Sequence, residues 1–355
     1  LSSGVRNYVN LAQRWKSIAS QTSGAADESA FTTSLPSAVP LAAPSGISSP
    51  GRDVQASRFS GFVQSETSSA WCGTNVVVGY NDTASLFLQS VSGLTIVGYA
   101  VSTNSGNSFT GGRALIPGVL PSGVTRRDFM GDPVVGCASK TNFFFSTLTM
   151  DTLNDSSQIS GVSVTFSLDG GFTFDNTVMA VGKDATNHFL DKDWFAVDPT
   201  NPARLYVTYT DLDTSGAGCG GDVRWGIEIV TSGDGGATWS RATGPPPSHA
   251  GDPGVEFDLD GVVYLSTLDP TARDGTPIGI TVARWTDGGR SFSKAAYAMD
   301  TSTSFAFPDG VARKLCGEEG NFFDYPKLAV DRGADSPYRN RLYLIANGIN
   351  FDRDA

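Results

Sequence analysis

From about residue 59 onward the chain alternates short apolar runs with polar, glycine-rich breaks. The runs at 75–80, 142–147, 205–210, 262–267 and 341–346 are rich in Val, Phe, Tyr, Leu and Thr. Residues of this kind fit a pleated, packed surface, and runs this short between turn formers are strands rather than helices. Ahead of each run stands an acid that opens a shorter apolar stretch: Glu66-Thr67-Ser68, Asp132-Pro133-Val134, Asp193-Trp194-Phe195, Asp252-Pro253-Gly254 and Asp324-Tyr325-Pro326. The steps between these acids are 66, 61, 59 and 72 residues. A helical period occurs near the start, where Val5, Tyr8, Val9, Ala12, Trp15 and Ala19 share one face over 1–20. Residues 21–57 are rich in Ser, Ala and Pro and read as an extended arm. The chain therefore divides into a helix and arm over 1–57 and an all-β domain over 58–355.

A second repeat runs out of phase with the first. Ser232-Gly233-Asp234-Gly235-Gly236-Ala237-Thr238-Trp239 follows a β-rich run and matches Ser167 to Phe174 and Trp285 to Phe292, with a decayed copy at Ser102 to Phe109. The turn residue is Asn104, Asp169, Asp234 and Asp287, at steps of 65, 65 and 53. Glycine supplies positive φ in such a turn, and the carboxylate accepts the turn's own amides. Interleaving the two repeats gives a unit of strand A, strand B, loop, strand C, acid–glycine turn, strand D. That unit is one four-stranded antiparallel blade of a β-propeller.

The octet resembles the Asp box, or BNR repeat, of the sialidase-like β-propellers, in which it joins the third and fourth strands of a blade. The resemblance covers roughly residues 58–350 and implies a six-bladed type of propeller, of which about four and a half blades are present. It also implies a rim built from the D–A and B–C loops, with the A strands lining the axis. Strands from the arm, a further stretch of chain, self-association or a partner would be needed to complete the ring.

Composition narrows the function. Net charge is −11 over 355 residues, and 17% of residues are charged. That balance argues against nucleic-acid binding, which needs a basic surface, and against anionic lipid. No apolar run approaches a membrane span. Few charges with much Ser, Thr and Gly suit a secreted or cell-surface protein. The four cysteines allow three pairings. The repeat register places Cys72 and Cys137 near adjacent A–B turns and Cys219 and Cys316 on the opposite face, so the expected disulfides are 72–137 and 219–316; free thiols are the alternative in a reducing compartment.

Candidate chemistry centres on the axis. Glu66, Asp132, Asp193, Asp252 and Asp324 would converge there as ligand-binding residues with Arg127, or each would cap its own blade. Candidate catalytic residues are Asp132, Asp193, Arg127, Glu318 and Tyr325. The sialidase resemblance implies a Phe/Tyr-Arg-Ile-Pro segment early in the first blade, and none is present. It also implies three arginines on a sugar carboxylate, for which only Arg127, Arg224 and Arg313 stand in suitable positions. Asp211, Asp213 and Ser215, followed by Gly216 and by Asp222 at the twelfth position, match oxygens of a calcium loop, although an ordinary polar loop is the alternative. His188 and His249 precede neighbouring A strands, as solvated loop residues or as a pair on the rim. Asn81-Asp82-Thr83 and Asn154-Asp155-Ser156 are glycosylation sequons. The expected function is a non-catalytic module that binds a glycan or protein at the upper rim; the alternative is a sialidase-type glycoside hydrolase.

Overall fold

The computed structural model of the chain describes residues 53–57, 62–87, 92–216, 224–242, 251–269, 279–286, 296–300 and 322–349. Two compact units divide at Asp53 and Val54, and every strand belongs to the second. The expected helix over 1–20, and the arm as far as residue 52, lie outside the described residues.

The second unit is an all-β propeller. Blade one comprises β1 (Gln64–Cys72), β2 (Asn75–Asp82), β3 (Val97–Ser102) and β4 (Thr110–Ala114). Blade two comprises β5 (Val124–Cys137), β6 (Phe143–Leu153), β7 (Gln158–Ser167) and β8 (Asn176–Asp184). Blade three holds β9 (His188–Val197), β10 (Leu205–Asp213), β11 (Arg224–Ser232) and β12 (Ser240–Arg241), and blade four β13 (Gly251–Phe257), β14 (Val263–Asp269), β15 (Gly279–Trp285) and β16 (Ala296–Asp300). A further pair, β17 (Phe322–Val330) and β18 (Leu342–Ile349), forms a two-stranded sheet. Each four-stranded sheet pairs its strands in chain order, and all the ladders are antiparallel. The innermost strands β1, β5, β9, β13 and β17 pack side by side in succession.

The core lies in the seams between blades. Val77, Tyr99, Phe129, Phe143 and Phe145 fill the seam between blades one and two. Phe144, Leu148, Val162, Phe195 and Tyr209 fill the next, and Tyr206, Ile229, Phe257, Leu265 and Trp285 the third. Leu268 and Ile280 meet Leu344 and Ala346 in the fourth. Strands covered on both faces need apolar residues without alternation, which is why Asn-Val-Val-Val-Gly-Tyr in β2 and Phe-Phe-Phe-Ser in β6 read as continuous runs.

The acid–glycine turns join the third and fourth strands at equivalent corners of blades one, two and three. In blade two the Ser167 hydroxyl donates to Asp169 Oδ1 at 2.8 Å, the Thr173 amide to the same oxygen at 3.0 Å and the Thr173 hydroxyl to Oδ2 at 2.8 Å. Blade three repeats this with Ser232, Asp234 and Thr238, and Asn104 takes the acid's place in blade one, accepting from the Ser108 amide at 3.0 Å. These bonds hold the Asp169 and Asp234 carboxyls below the usual carboxylate range, against burial at Asp169. Gly171 has φ +94°, and a Cβ there would overlap Val77 across the seam, so the turn also fixes how closely the blades approach. Asp287 lies outside the described residues; β15 ends at Trp285, where the fourth octet begins.

The Cys72–Cys137 disulfide is present and links the ends of β1 and β5, with Cα atoms 6.3 Å apart. Cys219 and Cys316 lie outside the described residues. Among the described residues no helix is long and apolar enough to cross a membrane.

Candidate functional site

All five inner strands carry a register break at the same height. Glu66 and Thr67 stand together opposite one residue of β2, Asp132 and Pro133 opposite one of β6, and Asp252 and Pro253 opposite one of β14. The same break in blade three contains Lys192 and Asp193, and in the two-stranded sheet Tyr325 and Pro326. These are β-bulges, in which the extra residue re-aims a side chain. Glu66, Asp132, Lys192 and Asp252 have φ of 51°, 52°, 47° and 47°, a left-handed conformation uncommon in such residues. The expected series of acids is therefore corrected by one residue in two places. Lys192, not Asp193, is the equivalent of Glu66 and Asp132, and Tyr325, not Asp324, occupies the position in β17.

The bulges bring a charged cluster to the axis. Lys192 Nζ lies 3.0 Å from Glu66 Oε2 and 3.7 Å from Asp132 Oδ2, so blade three is tied to blades one and two. The Asp132 side chain is 14% exposed. Burial, then a hydrogen bond with Glu66, pushes its carboxyl well above the ordinary range against the pull of Lys192. Burial likewise raises Asp191. Lys327 enters from β17, with its ammonium 3.9 Å from the centre of the Trp194 ring. Burial and Lys192 bring its pKa down to about 8, opposed by Glu66, Asp132 and Asp252.

Asp193 turns away from this cluster. It is 1% exposed and accepts from the Ser146 hydroxyl of β6, in the seam between blades two and three. Its Oδ1 has no partner. Burial pushes its pKa up to about 7.

Arg127 is also withdrawn. It is 2% exposed, and its Nε and Nη2 hold Asp151 at 2.7 and 2.6 Å inside blade two. Other described arginines, at exposed positions, pair with acids: Arg126 with Asp128, Arg204 with Asp198, Arg241 with Glu228, Arg332 with Glu256 and Arg339 with Asp260.

In the expected calcium loop, Asp211 is fully buried, with Lys183 Nζ at 2.8 Å and His188 Nδ1 at 3.0 Å. Asp213 Oδ1 accepts the Ser215 amide at 2.9 Å. Among the described residues no group of three His, Cys, Asp or Glu side chains gathers as metal ligands would, and Asp222 lies outside them. His188 is thus a strand residue engaged by a buried carboxylate, not a solvated loop residue. Lys183 also bonds Glu228, which accepts from the Tyr209 hydroxyl at 2.7 Å. Burial and Glu228 push the Tyr209 pKa far up. Asn81 is buried and accepts the Asp132 amide at 3.0 Å, so it braces the bulge, whereas Asn154 is exposed. Glu318, His249 and Arg313 lie outside the described residues, as do the side chains of Asp324, Tyr325 and Arg224.

Sequence reasoning counted Lys192 among the charged residues of the rim without placing it at the repeated position, and it passed over Trp194 and Lys327 as site residues. A usable signal existed for Tyr325. Aligning Pro133, Pro253 and Pro326 puts Tyr325 opposite Asp132 and Asp252; blade three has no proline there, and Lys192 is assigned by hydrogen-bond register alone.

No family model matches the chain, and no curated protein matches it. Solved structures similar to it include a protein of unknown function from Dyadobacter fermentans, at 15% identity and a TM-score of 0.47 over 69% of this chain and 71% of that one. A Hadza microbial sialidase is similar at 15% identity and 0.40, over 67% of this chain and 46% of that one. An α-L-arabinofuranosidase of Fusarium graminearum in complex with arabinobiose is similar at 11% and 0.45, over 76% and 77%. The chain spans just under half the length of the sialidase.

Proposed function

We propose that the chain is a secreted or cell-surface, sialidase-like propeller of the Asp-box kind that binds a glycan at its axis without hydrolysing it. The observation that carries this reading is the contact between Glu66, Asp132 and Lys192. Glycoside hydrolysis by two carboxylates needs them about 5 Å apart or more, one protonated and one free to attack or to activate water. Here the two acids are hydrogen-bonded to each other and shared by one ammonium. Both are held by Lys192, so neither stands as the unpaired nucleophile or base. Arg127, the described one of the three arginines expected on a sugar carboxylate, argues in the same direction, since it is committed to Asp151 and holding a sugar carboxylate calls for a free guanidinium fork. Carboxylates beside an indole are, by contrast, suited to accepting hydroxyl hydrogens from a sugar. A disulfide between blades supports an oxidising compartment.

The test pairs a glycan array with fluorogenic glycosides, sialosides included. Binding without turnover, weakened by Asp252→Asn, is the expected result. Turnover abolished by Glu66→Gln or Asp132→Asn would establish the hydrolase instead, and an empty array would remove the binding reading.

A further inference from the structure

Trp194 stands one residue past the bulge, opposite Thr208, at the position filled by Ser68, Val134, Gly254 and Lys327 in the other inner strands. It is the one aromatic residue among these five. Blade four, between the two partners, contributes Gly254 there and so places no side chain between them. Lys327 crosses that space and lays its ammonium on the indole face. Lys327 and Trp194 are both half-buried, and Glu66, Asp132 and Asp252 lie close enough for their charge to act on the lysine.

We propose that the Trp194 indole is a stacking platform for an uncharged pyranose ring, masked in the free protein by Lys327. This rests on the axial binding reading above and names its ligand. A sugar's C–H face packs on an aromatic ring while its hydroxyls need acceptors at the rim. Glu66 and Asp252, whose charges reach Lys327, are the candidate acceptors. Acidic sugars are disfavoured because the axis holds more carboxylates than lysines, Lys192 is already shared between two of them, and Arg127 is committed to Asp151. Lys327 is the movable part. Its ammonium has a long flexible stem, and leaving the ring forfeits a single cation–π contact.

The experiment measures acrylamide quenching of tryptophan fluorescence and affinity for neutral and sialylated glycans. It compares the wild type with Lys327→Ala, Lys327→Met and Trp194→Phe. Trp194→Phe isolates the signal of this indole from the other tryptophans. Removing the ammonium is expected to raise quenching of Trp194 and to tighten neutral-glycan binding about three- to tenfold, while Trp194→Phe weakens it. Lys327→Met keeps the stem, so it should gain affinity even if Lys327→Ala disturbs packing. Unchanged quenching in both lysine variants overturns the mask. Binding indifferent to Trp194→Phe, or a preference for sialylated glycans, overturns the platform while leaving axial binding intact. No binding by any variant overturns both.

Discussion

Replacing Asp193 with Asn should flatten the pH dependence of stability. Asp193 is 1% exposed in the seam between blades two and three, with one oxygen satisfied by Ser146 and the other by nothing. A charge there lacks both water and a direct counter-ion, so the folded protein keeps the carboxyl protonated up to about pH 7 against a normal value of 3.8. An acid whose pKa rises on folding binds its proton more tightly in the native state. Stability is then greatest below the unfolded pKa, declines as pH climbs through the window from about 4 to about 7, and levels off above it. Every tenfold gain in proton affinity is worth about 1.4 kcal/mol, so the full effect is about 4 kcal/mol, of which about 3 kcal/mol falls between pH 5 and pH 8. Asn carries no charge at either pH. Urea unfolding at pH 5 and pH 8 reads the comparison directly, because groups that titrate in both proteins cancel in the difference. The wild type should lose about 2–3 kcal/mol more than Asp193→Asn over that interval, allowing for some relaxation of the seam. Parallel pH profiles within about 0.5 kcal/mol would refute the reasoning, as natural scatter between distant sites is of that size.

Removing the Cys72–Cys137 link opens a loop of sequence separation 65; Cys72→Ser should cost about 4 kcal/mol by chain entropy, and reduced wild type should melt with the reduced variant. Gly171→Ala puts a Cβ into Val77 at φ +94° and should cost about 2–4 kcal/mol in urea unfolding at pH 7. Lys192→Met leaves Glu66 and Asp132 facing each other without their ammonium. It should cost about 2–4 kcal/mol at pH 7 and less at pH 4–5, where the acids take up protons, so a loss that is the same at both pH values would contradict the ion-pair account.

The blade architecture was legible because it depends on features the chain repeats. A turn needs its acid and its glycines, and the central strands of a blade need apolar residues on both faces. The pairing of Cys72 with Cys137 followed from the same spacing. The axis was harder to read, because a bulge inserts one residue and shifts every side chain after it to the other face. Asp193 and Asp324 look like the repeated acid when steps are counted, yet hydrogen-bond register assigns the place to Lys192 and Tyr325. Arg127 and Asp211 failed as free site residues for another reason. Their partners Asp151 and Lys183 are distant in sequence, and no local pattern announces a buried ion pair. Asn81 shows the same limit, since a sequon does not reveal that its amide oxygen holds the neighbouring blade's bulge.

The bulge also explains how one backbone solution leaves the chemistry of the axis free to vary. Four residues with left-handed φ hold the same position, and they are Glu, Asp, Lys and Asp. None of these types is demanded by the turn, as it would be if each acid capped its own blade through backbone amides. The Lys192 contacts run across the axis to two other blades, which is where identity matters. With an acid at blade three, three or four carboxylates would face one another with Lys327 alone to offset them, and repulsion would spread the inner strands. With lysine there, Glu66 and Asp132 share one counter-charge. The same residue therefore ties three blades together, and Lys327, turned aside onto Trp194, is the charge this arrangement leaves over.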